Sequence, residues 1–306
     1  MAEVRSRESG AAGFQEKTFQ AGPVSVHYAE GPPNGPPLVL LHGLARDWKS
    51  FFVLLPELSS RFHVFVLDLR GHGKTSRVPR GYRMPDYGLD VSTFLKQVVP
   101  GDAAIFGHSL GAEVGMFTAA NENSGVSALI LGDPAISAES FTRSMYDPLF
   151  LQLHKLILRG GSQQELARGI GRIELKIPGF DETLHIEELP GNTAPVLMEW
   201  ARSAKLTDPE TLSMMLDGSS FAGWDPSQVL PKIPCPTLLL QGNPELDALL
   251  TDDDVKLALK LLPNAEHVKF PLLGHALFMQ QPKPVLAEIS RFLSSLEYVT
   301  GLKCRS

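Results

Sequence analysis

Apolar positions along this chain gather into short runs closed by Gly, Pro or Asp: GFQEKTFQ, VSVHYAEG, PLVLLHG, HVFVLDLR, AAIFGHS, ALILGDP, TLLLQGN and HVKFPLLGH. Runs of this length and make-up predict eight strands. From the third onward they include near-continuous apolar stretches, as strands buried on both faces of a parallel sheet do. Segments with helical spacing, such as Asp86 to Val98, lie between them. The first two read instead as an antiparallel edge hairpin turned at Gln20 to Pro23.

One long interval breaks the alternation. Between ALILGDP and TLLLQGN, residues 135–232 carry helical patterns and no convincing buried strand. MYDPLFLQLHKLIL, APVLMEWARSAK and DPETLSMMLDG are amphipathic, which suits helices that lie over a site and bury one face against it. The expected organisation is an α/β core in two parts, 1–134 and 233–300, with a helical cap of 135–232 inserted after strand six. Residues 1–12 are expected to be flexible and 301–306 to form a tail.

Composition narrows the function classes. A chain of 306 residues, 43% hydrophobic and 20% charged, suits a globular protein with a sizeable core. Its net charge of -6 argues against a nucleic-acid partner. Two cysteines, Cys235 and Cys304, are too few for a disulfide framework and fit a reducing compartment. The opening MAEVRSRESGAAGFQEK lacks the apolar core of a signal peptide, and no run approaches the roughly 20 apolar residues of a membrane helix. The expectation is a soluble cytoplasmic protein, monomer or homodimer, with no membrane partner. His, Cys and carboxylates do not fall at zinc spacings, and GHGKTS lacks the spacing of a phosphate-binding loop. Neither a metal nor a cofactor is expected.

The chemistry centres on IFGHSLG, residues 105–111, where an apolar strand gives way to a helix through a glycine-bounded turn. A serine hydroxyl is a weak nucleophile unless it projects from a rigid place where a base can take its proton. A sharp strand-to-helix turn provides this, and its tightness explains Gly107 and Gly111. Ser109 is the candidate nucleophile. The helix starting at Leu110 offers free backbone N–H groups, so the Leu110 N–H is a candidate oxyanion donor.

With LVLLHG followed by LARDW, and VLDLRGHGKTS, this elbow resembles the core of the α/β-hydrolase fold superfamily, in its capped serine-hydrolase, esterase-like form. The resemblance spans about residues 14–296. It implies that the loop after His42-Gly43 carries the second oxyanion donor, the Leu44 N–H, and that Asp68 to Gly73 shape the loop after strand four. The base would stand after the last strand, where Gly274-His275 occurs, making His275 the candidate. For the third member the resemblance leaves a choice: Asp133 after strand six, Glu245 after strand seven, then Asp247. Asp252 to Asp254 look like a helix N-cap and first turn.

His108, beside the nucleophile, is expected to support the elbow or the pocket wall. Tyr146, Trp200, Phe221 and Trp224 in the insertion, with Trp48 and Phe278 near the reacting centre, are candidate pocket residues. Because the insertion holds no Lys/Arg cluster, a small to medium, neutral and fairly hydrophobic ester is expected. A lactone, a C–C bond or a peracid reaction with the same triad are the alternatives, and a non-catalytic ligand receptor on this fold is the alternative from another class.

Overall fold

In a computed structural model of the chain, residues 13–142, 146–176, 182–189 and 191–300 are described. The expectations for residues 1–12 and 301–306 lie outside them. The strands are β1 (Gln15–Ala21), β2 (Val24–Glu30), β3 (Pro37–Leu41), β4 (His63–Leu67), β5 (Ala103–His108), β6 (Val126–Gly132), β7 (Glu174–Leu175), β8 (Leu184–His185), β9 (Thr237–Gln241) and β10 (Ala265–Lys269). Eight of them form one sheet in the order β1-β2-β4-β3-β5-β6-β9-β10. β1 and β2 pair antiparallel, β2 joins β4 antiparallel, and all later pairings are parallel. The hairpin thus lies at one edge, and the parallel strands point their C-terminal ends the same way.

Alternation along the strands divides the core in two. Val39, Leu41, Phe65, Leu67, Ile105, Leu129 and Leu131 face one apolar cluster, while Leu38, Leu40, Val64, Val66, Phe106, Ile130, Leu238 and Leu240 face the other. With both faces covered, nearly every position of β3 to β6 and β9 is apolar, which is why no polar alternation marks them in the sequence. The first cluster takes in α1 (Met84–Gln97) and α2 (Leu110–Ala119). The second takes in the last helix, whose Val285, Leu286, Ile289 and Phe292 are buried.

Between β6 and β9 the chain leaves the sheet through α3 (Tyr146–Arg159), α4 (Gln163–Gly171), α5 (Ala194–Leu206) and α6 (Pro209–Leu216). Among them lies the two-residue ladder of β7 and β8, too short to stand out in the sequence. The apolar sides of these helices add Leu153, Leu166, Ile170, Trp200 and Leu212 to the first cluster. The chain then returns through β9, α7 (Asp252–Leu261), β10 and α8 (Pro282–Thr300). At α7 the N-cap is Thr251, with Asp254 closing a capping box, so the acidic run occupies the first turn only. Among the described residues, no helix is long and apolar enough to cross a membrane.

Candidate active site

The elbow follows from two close approaches. A Cβ on Gly107 would run into the Gly111 carbonyl, and one on Gly111 into that of Leu41. Only glycines let β5, α2 and β3 come this close. Between them Ser109 sits at φ 53°, ψ −126°, and its N–H donates to Gly132 O at 2.8 Å. Such backbone conformations cost about 1–3 kcal/mol in a non-glycine residue and persist only where the surroundings enforce them. Ala45 (φ 55°), Asp133 (φ 48°) and Asp247 (φ 137°) share the positive-φ condition, so unfavourable backbone gathers around this end of the sheet.

β6 ends at Gly132 and delivers Asp133, whose side chain is fully buried. Its Oδ2 accepts from the His275 ring Nδ1 at 2.7 Å and from Leu249 N–H at 2.8 Å, while Oδ1 accepts from Leu250 N–H at 3.3 Å. Gly242 N–H approaches the same oxygen at 3.4 Å. With Asp133 as acceptor, Nδ1 of His275 carries the proton and Nε2 carries the lone pair. Charge-assisted bonds of this kind fix a ring's tautomer and its plane.

The other two carboxylates stand elsewhere. Asp247 Oδ1 accepts from the backbone N–H of His275 at 2.6 Å, fastening the loop that carries the ring. Glu245 is exposed, its own N–H donating to Asn243 Oδ1 at 3.0 Å.

His108 donates from Nε2 to His275 O at 2.8 Å, with the rings 4.8 Å apart. Burial, reinforced by His275 and by Arg46, drops its pKa to about 3, which keeps the ring neutral. Leu44 and Ala45 form the corner of a turn closed by Arg46 N–H to Gly43 O at 3.2 Å. Gly43 lies against Ser109: a Cβ there would come within 3.2 Å of the serine Cβ and 3.3 Å of His108 Nδ1. Buried His42 donates from Nδ1 to Gly43 O at 2.8 Å and accepts from Leu69 N–H at 3.0 Å, tying the loops after β3 and β4. Leu110 opens α2, where the first-turn N–H groups have no intrahelical acceptor.

The expected pocket residues separate into two groups. Trp48 and Phe278 belong to the second core cluster: Trp48 packs edge-on against Phe52, and Phe278 stacks on Phe51 at 5.2 Å and meets the edge of His108 at 5.4 Å. They support the site from beneath. Trp200, Phe221 and Trp224 lie on the insertion's side. Phe221 approaches Phe141 at 6.3 Å, and Trp224 donates its Nε1–H to Ile136 O at 2.7 Å. Trp200 lies under the guanidinium of Arg46 at 4.2 Å. The side chain of Tyr146 lies outside the described residues.

Sequence reasoning passed over three residues. Arg46 and Asp47, the RD of LARDW, grip α5: Asp47 pairs with Arg202 at 2.7 Å and accepts from Ser203 Oγ at 3.0 Å. Glu113, on α2, accepts from Ala135 N–H at 2.9 Å and thereby braces the turn after Asp133. A carboxyl inside the otherwise apolar AEVGMF was the available signal. Among the described residues, no group of three or more His, Cys, Asp or Glu side chains is placed to hold a metal ion.

Residues 38–288 match the Alpha/beta hydrolase family. The chain belongs to it. In sequence it is 32% identical over 107 residues to 2-(acetamidomethylene)succinate hydrolase of Mesorhizobium japonicum, a match covering 35% of this chain and 38% of that protein. It is 23% identical over 286 residues to the bifunctional esterase/perhydrolase DCH of Acinetobacter calcoaceticus, covering 89% of this chain and 97% of the relative. Among solved structures, that of E-2-(acetamidomethylene)succinate hydrolase superposes with a TM-score of 0.72 at 20% identity, covering 92% and 99% of the two chains. Relatives in this hydrolase family act on more than one kind of bond.

Proposed function

We propose that this hydrolase cleaves a carboxylic ester through an acyl intermediate on Ser109. His275 acts as general base and acid, Asp133 orients it, and the Leu44 and Leu110 N–H groups hold the oxyanion. The observation that carries the reading is the 2.7 Å bond from His275 Nδ1 to the buried Asp133, in a loop system that also holds Ser109 at φ 53°. Ser109 Oγ attacks the acyl carbon as its proton passes to His275 Nε2. The tetrahedral intermediate collapses, and the leaving alkoxide takes that proton. Water then attacks the acyl-serine, giving its proton to the same nitrogen, and collapse returns the proton to Ser109 and releases the acid. Each oxyanion donor contributes roughly 100 to 1000-fold in rate.

Residues 135–232 act as a cap in this reading. Ser109 and His275 are only 7% and 8% exposed, so substrate enters when the insertion shifts. Apolar Trp200 and Phe221 on that side favour an ester with a fairly hydrophobic body. The Acinetobacter relative is named an esterase/perhydrolase, in keeping with acyl transfer.

The test is p-nitrophenyl butyrate hydrolysis together with fluorophosphonate labelling read by mass spectrometry. Turnover and a label on Ser109, both lost in Ser109→Ala, are expected. A wild-type protein that neither turns over nor labels would leave the fold as a ligand receptor and end the hydrolase reading.

A further inference from the structure

The kink that presents Asp133 is held at both ends from the nucleophile's side. Asp133 itself stands at φ 48°, a conformation that a non-glycine residue keeps only where its surroundings enforce it. Just before it, Gly132 O accepts from the Ser109 N–H at 2.8 Å. Just after it comes Pro134, which has no N–H to give, so the first backbone donor beyond Asp133 is Ala135. Glu113 Oε1 takes that donor at 2.9 Å.

Glu113 also touches the elbow directly. It lies one turn along α2 from Ser109, and its own N–H donates to Ser109 O at 3.2 Å. One residue thus joins the carbonyl of the nucleophile to the turn that carries the acid. The other bonds of Asp133 come from elsewhere: its N–H donates to Leu240 O at 2.9 Å, and its carboxylate is held from the loops after β9 and β10. Ala135 is also where the chain leaves the sheet for the insertion, so this bond pins it between Asp133 and the helices that follow.

The state of the side chain suits the task. Glu113 is buried, and burial, only partly opposed by the Ala135 bond, raises its pKa to about 8. Near pH 7 it is an uncharged acid, which lends an acceptor oxygen without setting a second negative charge behind Asp133. An apolar residue of the same size would fill the space, but it would leave the buried Ala135 N–H unpaired and the kink tethered at one end only.

We infer that Glu113 is a positioning residue for the triad: by holding Ala135 it keeps Asp133 in line with His275, independently of the insertion that starts there. It acts through Asp133 and needs no contact with substrate. The inference rests on the hydrolase reading for the reaction that Asp133 serves, but the alignment itself can be measured without turnover.

Proton NMR at pH 7 reads that alignment with no substrate present. The ring N–H of a buried, charge-assisted Asp–His bond resonates far downfield of the backbone amides, and two such bonds are described, His275 to Asp133 and His27 to Asp68. His275→Gln and His27→Gln assign the two signals. Glu113→Leu and Glu113→Met, which keep the bulk and remove the acceptor, are expected to lose or broaden the His275 signal and to keep that of His27, which reports an intact fold. Glu113→Gln, which restores an acceptor for Ala135, is expected to keep both. On p-nitrophenyl butyrate, kcat in the Leu and Met variants is expected to fall about 10 to 100-fold with KM within about threefold, while Glu113→Gln stays within about threefold of the wild type. Thr118→Val is the control: it removes another buried hydrogen bond of α2, from Oγ1 to Val114 O at 2.8 Å, and is expected to leave kcat and both signals in place. Selective loss of the His275 signal in a protein that turns over no ester keeps this role for Glu113 and ends the hydrolase reading alone. Turnover with the His275 signal and kcat unchanged in the Leu and Met variants, or equal losses in Glu113→Gln, overturns the role and leaves the hydrolase standing.

Discussion

Among the described residues, two buried aspartate–histidine pairs look alike at first contact. After β6, Asp133 accepts from His275 Nδ1 at 2.7 Å; after β4, Asp68 engages His27 Nδ1 at 2.8 Å. Both carboxylates are at most 1% exposed, and both also take backbone N–H groups, Leu249 and Leu250 in one case, Trp48 and Lys74 in the other. The difference lies across the ring. Nε2 of His27 is closed by Glu16 at 2.8 Å, which Lys74 also pairs with, making an ion network that pins the edge hairpin. His275 instead ends a loop at the strand tips, where the strained elbow presents Ser109. A buried Asp–His bond is therefore no sign of catalysis in itself. In the proposed reaction, what stands at the second nitrogen separates a pair that moves a proton from one that holds a fold.

Exchanging each aspartate for asparagine breaks the likeness most sharply. Asp133→Asn removes the acceptor that fixes the His275 tautomer, and kcat on p-nitrophenyl butyrate is expected to fall about 10⁴-fold with little change in the circular dichroism spectrum. Asp68→Asn leaves a buried histidine beside an amide. Its expected effect is on stability, a loss of about 3–5 kcal/mol in urea unfolding, with a far smaller change in kcat. Equal rate losses in the two variants would show that the pairs do not divide chemistry from architecture in this way.

Glu113 sharpens the comparison by showing what a buried carboxyl does with fewer partners. Its recorded bond is to Ala135 N–H, and burial pushes its pKa from 4.5 up to about 8. The folded state therefore holds a proton that the unfolded chain releases above pH 4.5, so stability falls as pH rises from there towards 8. Glu113→Gln keeps the acceptor for Ala135 and removes the titration. Its unfolding free energy is expected to exceed that of the wild type at pH 8 by on the order of 2–4 kcal/mol, with the gap closing towards pH 5. A gap that does not depend on pH would refute this account.

How far the sequence carries the argument follows from the same contrast. Strand positions were readable because burial on both faces demands apolar residues throughout, and the elbow because Gly107 and Gly111 answer steric demands made within a few residues. For the candidate acid, the sequence placed Asp133 first and left Glu245 and Asp247 open. Asp133, Glu245 and Asp247 all follow strands in suitable loops, and only the folded geometry sets one of them on the ring, one on a backbone N–H and one in solvent. The attachment of the insertion was not readable, since Arg46 and Asp47 meet Trp200, Arg202 and Ser203 across about 150 residues. Trp48 and Phe278, expected near the reacting centre, are buried in the second core cluster, with Phe278 against the ring of His108.

The smallest effect belongs to His27, where the two pairs differ in pH response. Burial lowers the pKa of His27, but hydrogen bonds and charge from Asp68 and Glu16 outweigh it and raise the value above 6.5. The proton is bound more tightly in the folded state, so this stabilisation is fully present below pH 6.5 and is lost as pH rises through the folded value. His27→Gln removes the titrating ring, and the variant is expected to be less stable than the wild type at pH 6, with a difference of about 1–2 kcal/mol that narrows above pH 8. Urea midpoints at the two pH values check this. Because Asp68 stays hydrogen-bonded to Trp48 and Lys74 in the variant, the rate on p-nitrophenyl butyrate measures whether the loop after β3 depends on the charge of His27 or only on the carboxylate that His27 neutralises. An unchanged kcat at pH 7 places the dependence on Asp68 and confines His27 to the hairpin.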